Sequence, residues 1–256
     1  NHPDVDKALI KEVSERLDSK YFSCFSPKDI YNHLVMLSSL CPDKPVEVRI
    51  NIQSNKKADC TVISYDHPGL FSLITGILSG MGFDIQSGKI FTFKKARHSP
   101  EKKFSRTRKR RRDKLSVPDF LRKKIIDHFS GTISTKLPME KWSGELTKNL
   151  QRITWLLEKN TGNSISKAKK QVNEIVAKKL EELNLEAAPV LYPVQINVDN
   201  SASDITRFKV ISQDTPAFLY FMSAALSLKG IQIEHVIIQT HDNQVEDIFD
   251  LTDSGG

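Results

Sequence analysis

The chain has 256 residues, 39% of them apolar, and a formal net charge of +7, enough for one large or two modest cores. The charge is uneven: residues 94–124 hold 15 Lys or Arg against three acidic residues, a local +12, so the rest of the chain carries −5, the difference between +7 and +12. Basicity confined to one segment is weak evidence for a nucleic-acid-binding protein. No apolar run approaches the roughly 20 residues needed to span a bilayer, and Asn1-His2-Pro3-Asp4 does not read as a signal peptide.

In chain order, residues 1–45 predict two helices, Asp4 to Leu17 and Pro27 to Leu40, the second capped by Ser26 with Pro27 at its first position. An alternating strand, Val46 to Ile52, precedes a second from Ala58 to Tyr65. Next come a turn at Asp66-His67-Pro68-Gly69 and a helix with Leu70, Leu73, Ile74, Ile77 and Leu78 on one face. Asp66 or His67 is expected to cap this helix and Pro68 to sit in its first turn. Gly82 ends it, and strands follow at Phe83 to Phe93 and Ile125 to Thr132, with the basic segment between them. Further helices are expected at Glu145 to Leu157 and at about Ser164 to Leu183, the latter capped by Ser164 or Ser166. Trp142 and Trp155 are both expected in the core. Cys24, Cys41 and Cys60 have neither disulfide-framework nor metal-ligand spacing, and are expected as buried or half-buried free thiols of a reducing, cytoplasmic compartment.

The pattern then repeats at an offset of 148 residues. DHPGLFSLITGILSGMGFDIQSGKIFT from Asp66 aligns without a gap with DTPAFLYFMSAALSLKGIQIEHVIIQT from Asp214. Asp66 matches Asp214, Pro68 matches Pro216, Gly82 matches Gly230 and Ile85 matches Ile233. Strands at Val194 to Val198, Thr206 to Gln213, Ile231 to Thr240 and Val245 to Thr252 complete the second copy. Asp127-His128-Phe129 stands in the place of Asp247-Ile248-Phe249, and the first copy carries 28 extra residues before it, which are the basic segment. That segment reads either as a solvated insertion or as a surface for an anionic partner, an acidic domain of the same polypeptide or nucleic acid.

These stretches resemble the ACT domain, a small-molecule-binding module. More narrowly, their order resembles the C-terminal regulatory half of the PII uridylyltransferase/uridylyl-removing enzymes of bacterial nitrogen control. Tyr21-Phe22 followed by Pro27 to His33, Asp199-Asn200-Ser201-Ala202-Ser203, and Val245 to Asp253 carry the narrower likeness. The resemblance implies an α+β fold: two ferredoxin-like βαββ(αβ) units with antiparallel sheets, plus N-terminal and linker helices. The expected division is a helical segment at 1–45, a first ACT-like unit at 46–158 with its basic insertion at about 94–124, a linker helix at 159–188, and a second, C-terminally incomplete unit at 189–256. It further implies a sensor of a free amino acid, glutamine first, acting on catalytic domains of the same polypeptide. The alternatives to a sensor are a nucleic-acid-binding regulator using the basic segment or a pair of units serving only as a dimerisation scaffold. Nucleic acid, membrane and cofactor are not expected as partners, a homodimer through the ACT sheets is compatible with the pattern, and no catalytic or metal-binding constellation can be assembled.

The candidate ligand-binding residues are Asp66, His67, Pro68, Gly69, Leu70, Phe71, Asp84 and Ile85, with Asp214, Thr215, Pro216, Ala217, Phe218 and Gln232. A turn feeding a helix N-terminus offers unpaired N–H groups and a positive dipole end to a carboxylate. Asp84 could receive the ammonium group. The same Asp66 and Pro68 are equally explained as helix-starting residues. Ala217, in place of glycine, is expected to crowd the second turn. His33, His128 and His235 are read as structural or surface residues without a partner cluster.

Overall fold

A computed structural model describes residues 5–53, 56–95, 122–183, 194–202, 204–241 and 244–253. Most of the basic segment, residues 96–121, therefore lies outside the described residues.

The elements are α1 (Lys7–Arg16), α2 (Ser19–Cys24), α3 (Pro27–Ser38), β1 (Val46–Ile52), β2 (Lys57–Tyr65), α4 (Leu70–Gly80), β3 (Phe83–Thr92) and β4 (Lys124–Ile133). They continue as α5 (Met139–Glu158), α6 (Gly162–Leu183), β5 (Gln195–Asp199), β6 (Thr206–Gln213), α7 (Phe218–Leu228), β7 (Gln232–His241) and β8 (Gln244–Thr252). The eight strands form one antiparallel sheet in the order β1-β2-β4-β3-β7-β8-β6-β5. Each half has the strand order of a ferredoxin-like βαββ unit, with the leading strand, β1 or β5, taking the outer edge.

The two expected sheets are thus joined into one through β3 and β7. Lys89 faces Ile237, its own counterpart in the repeat; Phe91 faces His235 and Ser87 faces Gln239, which are reciprocal equivalents. The junction is therefore a local two-fold, the self-complementary geometry of an isologous interface. A β-bulge interrupts β3 between Ile85 and Ser87, and a matching one interrupts β7 between Ile233 and His235. A bulge leaves one residue out of the ladder and re-aims it; here those residues are Gln86 and Glu234.

Alternation along β4 decides which side each core occupies. Ile125 and Phe129 join the large apolar cluster under α4–α7, whereas Ile126 joins a smaller one with Val13, Leu17, Tyr21, Leu34 and Leu37 of the N-terminal helices. The short α2, absent from the sequence reading, delivers Tyr21 to that second core. Arg16 of α1 donates to the carbonyls of Lys94 and Arg122, at 2.8 and 3.0 Å, and so holds both described flanks of the basic segment.

Several local expectations are corrected. Helix α4 starts at Leu70 after Gly69, a left-handed N-cap (φ 78°) without a side-chain hydrogen bond, so neither Asp66 nor His67 caps it and Pro68 lies before its first turn. The turn is closed instead by the Leu70 N–H on the His67 carbonyl. The cap of α6 is Thr161, whose hydroxyl accepts from the Ser164 N–H while the Ser164 hydroxyl accepts from the Thr161 N–H. Helix α5 begins at Met139, ahead of the expected Glu145, because Pro138 precedes it and Trp142 anchors its first turns. Trp142 is fully buried and donates its indole N–H to the Met81 carbonyl, whereas Trp155 is 50% exposed beneath the Lys159 ammonium. Cys41 is exposed, in contrast to the half-buried Cys24 and buried Cys60.

Candidate functional site

The repeat places two turns, 66–69 and 214–217, at quasi-equivalent points, each against the bulged strand of the other half. The two environments differ.

At the second turn lies a cleft of about 390 Å³. The turn residues Asp214, Thr215, Pro216, Ala217 and Phe218 form one wall. Asp84 and Ile85 at the start of β3 form the opposite wall, and Val176, Lys179, Leu180 and Leu183 of α6 roof it. The volume suits a small polar metabolite. Ala217 is the N-cap of α7 and adopts a left-handed conformation (φ 60°), so its methyl is accommodated by strained backbone and does not block the turn as expected. Helix α7 aims its N-terminus at the cleft, a favourable place for a carboxylate.

Three carboxylates meet there. Asp247 of β8 lines the cleft at its base, is 1% exposed, and its Oδ1 has no hydrogen-bond partner among the described residues. Burial, reinforced by the Asp214 carboxylate, pushes its pKa up to about 7 although a backbone hydrogen bond from Gln239 opposes the shift. Burial and then the Asp84 carboxylate also raise Asp214. The sequence reading did not include Asp247 or Lys179. The signal for Asp247 was an acidic residue inside an apolar strand, recurring at the same place in both copies as Asp127.

The first turn is packed. His67 shares the Glu158 carboxylate with Arg122, at 2.8 Å for His67, and the Arg122 guanidinium lies 3.5 Å over the Tyr65 ring. Burial pushes Glu158 up, but the hydrogen bonds from His67 and Arg122 outweigh it and leave the carboxyl below its ordinary value. The Lys123 ammonium lies 3.9 Å from Asp66 and 3.1 Å from Glu234, the residue expelled by the bulge in β7. Beneath sits Asp127, fully buried and without a partner among the described residues; burial and then Asp66 hold its pKa well above the ordinary value. Gly69 packs so closely on α7 that a Cβ there would lie 2.6 Å from the Ser227 hydroxyl. Leu70 is in the core, Phe71 stacks on Phe129 with ring centroids 6.3 Å apart, and Gln232 starts β7 opposite Thr252. Of the candidate residues, the structure thus gathers Asp84, Ile85 and Asp214 to Phe218 around one cleft, and places Asp66 to Phe71 and Gln232 outside it.

A smaller cavity of about 280 Å³ lies on the opposite side of the sheet, among Asp29, His33, Arg49, Asp59, Lys89 and His128. His33 and His128 thus share one cavity with Asp29 and Asp59, neighbours that the sequence reading did not give them. His33 Nδ1 lies 2.9 Å from the Tyr21 hydroxyl, and burial, aided by His128, lowers its pKa to about 4. His235 lies 3.4 Å from Asp250. Among the described residues, no group of three or more His, Cys, Asp or Glu could hold a metal ion, and no helix is long and apolar enough to cross a membrane.

The chain is similar to bifunctional uridylyltransferase/uridylyl-removing enzymes. It is 23% identical to that of Cereibacter sphaeroides over 269 aligned positions, which cover 100% of this chain and 25% of the enzyme. The enzyme of Azospirillum brasilense is 24% identical over 216 positions, covering 84% of the chain and 19% of the enzyme, and that of Ruegeria pomeroyi is 23% identical over 215 positions. The chain thus spans at most a quarter of the length of these relatives. No family model matches the sequence.

Proposed function

We propose that this chain is a regulatory, amino-acid-sensing module of the tandem ACT type, serving a PII-modifying nucleotidyltransferase in nitrogen control. The observation that carries the reading is the cleft between the second turn and the first copy's strand β3. It offers a helix N-terminus to a carboxylate and acidic side chains to an ammonium, the two ends of a free amino acid. Glutamine is the first candidate because the resemblance to the regulatory region of PII uridylyltransferases implies it. The likeness to uridylyltransferase/uridylyl-removing enzymes supports the nitrogen-control setting.

The roof suggests how occupancy would be transmitted. Helix α6 connects the two halves and contributes side chains to the cleft, so a ligand that prefers one position of α6 shifts the relative placement of the halves by its differential affinity. A homodimer made through the sheet would have to use β1 or β5, because β3 and β7 pair within the chain.

Thermal unfolding against a panel of free amino acids, glutamine included, tests the reading. Binding to the native state at a hundredfold excess over Kd stabilises it by about 2.7 kcal/mol. The reading expects a shift with at least one amino acid, lost in Asp84→Lys, which reverses a wall charge at an exposed strand start. No shift with any amino acid would refute it.

A further inference from the structure

The cavity on the opposite side of the sheet is built independently of the repeat. Arg49, Thr61, His128 and Lys89 are direct cross-strand partners along β1, β2, β4 and β3, so their side chains form one row on one face of the sheet. Helix α3 packs over this row and lines the cavity with Asp29, Asn32, His33 and Met36, the spacing of a single helical face. The second half brings Ile237 and Ile248 to the middle of the same row, so the polar arrangement occurs once per chain.

The protein already uses the acceptors of this cavity and leaves its donors unused. Asp59 accepts from the Ser130 hydroxyl at 2.6 Å and from the Gln53 amide at 2.8 Å. Asp29 accepts from the Ser26 hydroxyl at 2.6 Å and the Ser26 N–H at 3.3 Å, in the capping box of α3. By contrast, the Arg49 guanidinium has neither a hydrogen bond nor a salt bridge among the described residues, and the Asn32 amide has no hydrogen bond there either. The Lys89 ammonium gives one bond, to the Cys24 carbonyl at 3.1 Å, out of the three it can make. His33, 3% exposed, has its Nδ1 2.9 Å from the Tyr21 hydroxyl, and His128 has its Nδ1 2.9 Å from the Thr61 hydroxyl. Burial lowers the pKa of both rings, so they stand neutral at pH 7. A hydroxyl that donates to each Nδ1 leaves each ring with Nε2–H as its donor, and neither Nε2 has a partner among the described residues.

We propose that this cavity is a ligand site separate from the cleft, and that it binds the oxyanion group of a small molecule, a phosphate or a carboxylate, with the Arg49 guanidinium as principal donor and Lys89, Asn32 and the two imidazole N–H groups around it. The planar fork of a guanidinium matches either oxyanion bidentately. A volume of about 280 Å³ confines the occupant to a small molecule. The charges of Arg49 and Lys89 balance those of Asp29 and Asp59, so recognition rests on directed hydrogen bonds and not on net charge.

Calorimetric titration of the intact chain with sodium phosphate and, separately, sodium succinate tests the site, with sodium chloride at matched ionic strength as the blank. At least one of the two is expected to bind above the blank, and the tighter one tells phosphate from carboxylate. Arg49→Gln, at an exposed strand position, should weaken that binding at least about tenfold, the loss of charge-assisted hydrogen bonds. Lys209→Gln removes a cation from the same row outside the cavity and should leave binding unchanged. In proton NMR of the wild-type chain, the same titration should move the ring signals of His33 and His128 and leave those of His67, on the other face of the sheet, in place. No binding of either anion above chloride, binding that survives Arg49→Gln, an equal loss in Lys209→Gln, or static His33 and His128 signals would overturn the site. The amino-acid reading of the cleft does not depend on any of these outcomes.

Discussion

Replacing Asp247 by Asn isolates the cost of one buried carboxylate. The side chain is enclosed, its Oδ1 has no donor, and its pKa stands at about 7 against an ordinary value of 3.8. That difference corresponds to roughly 4 kcal/mol. The sign follows from where the proton sits. Below about pH 4 the group is protonated whether the chain is folded or not, so ionisation costs nothing. Between about pH 4 and pH 7 the unfolded chain releases the proton while the folded chain keeps it, so stability falls as pH rises. Above pH 7 both states are ionised and the penalty is constant. Asp247→Asn keeps the shape and removes the charge, so the penalty vanishes. The stability of the variant relative to wild type should therefore improve by up to about 4 kcal/mol between pH 4 and pH 8. Urea unfolding at several pH values measures this, since the difference between two chains cancels the titration of the other carboxylates. Asp214 titrates together with Asp247, so the transition belongs to the pair and spreads over a wider range. Parallel stability-against-pH curves for the two chains would refute the reasoning, because they would mean that Asp247 ionises in the folded state as easily as in the unfolded one.

Further outcomes follow from geometry. Gly69→Ala should lose about 1–3 kcal/mol in denaturant unfolding, from the left-handed backbone and a Cβ 2.6 Å from the Ser227 hydroxyl. The matched change Ala217→Gly relieves the same strain and should gain at most about 1 kcal/mol. Trp142→Ala should cost about 3–5 kcal/mol and Trp155→Ala less than about 1 kcal/mol, since the first is fully buried and the second half exposed. Glu158→Ala strips His67 and Arg122 of their shared partner and should cost about 2 kcal/mol in thermal or urea unfolding, a loss that extra salt barely changes because the carboxylate side chain is only 18% exposed.

The repeat was legible because apolar spacing is a local property. Leu73, Ile74 and Ile77 mark a helix whatever surrounds them, and the same register recurs 148 residues later. What depends on distant partners was not legible. The early start of α5 depends on Trp142, whose burial against Met81 is a distant contact; Gly144, within the helix, has nothing within 4 Å of an added Cβ. Trp155 follows helical spacing but falls on the solvent side of α5. The joining of β3 to β7 leaves little trace, because paired strand edges are made of backbone groups that every residue carries. The cleft fell at the second turn for the same kind of reason. Gly69 favoured the first turn by its freedom to turn, but Lys123, Arg122 and Glu158, remote in sequence, fill the space around it.

The basic insertion links these observations. In the second copy β7 and β8 are separated by two residues, whereas in the first β3 and β4 are separated by the segment that ends in Arg122-Lys123. The returning end pairs its Lys123 carbonyl with the Asp66 N–H, at 2.9 Å, and so carries two cations to the first turn, where Asp66, Glu158 and Glu234 receive them. The matching positions of the short hairpin are Asp242 and Asn243, which bring no cation. The insertion's return thus gives the first acidic turn two cations from within the chain, while the buried Asp127 beneath it still has no hydrogen-bond partner among the described residues. A buried carboxylate that its own fold does not neutralise stays partly protonated or draws a cation from outside. Asp247 is held in that condition by the strand that also carries Phe249 into the core, so its burial cannot be relieved by a side-chain rotation alone. The asymmetry of the two turns is therefore a consequence of where the insertion returns to the sheet.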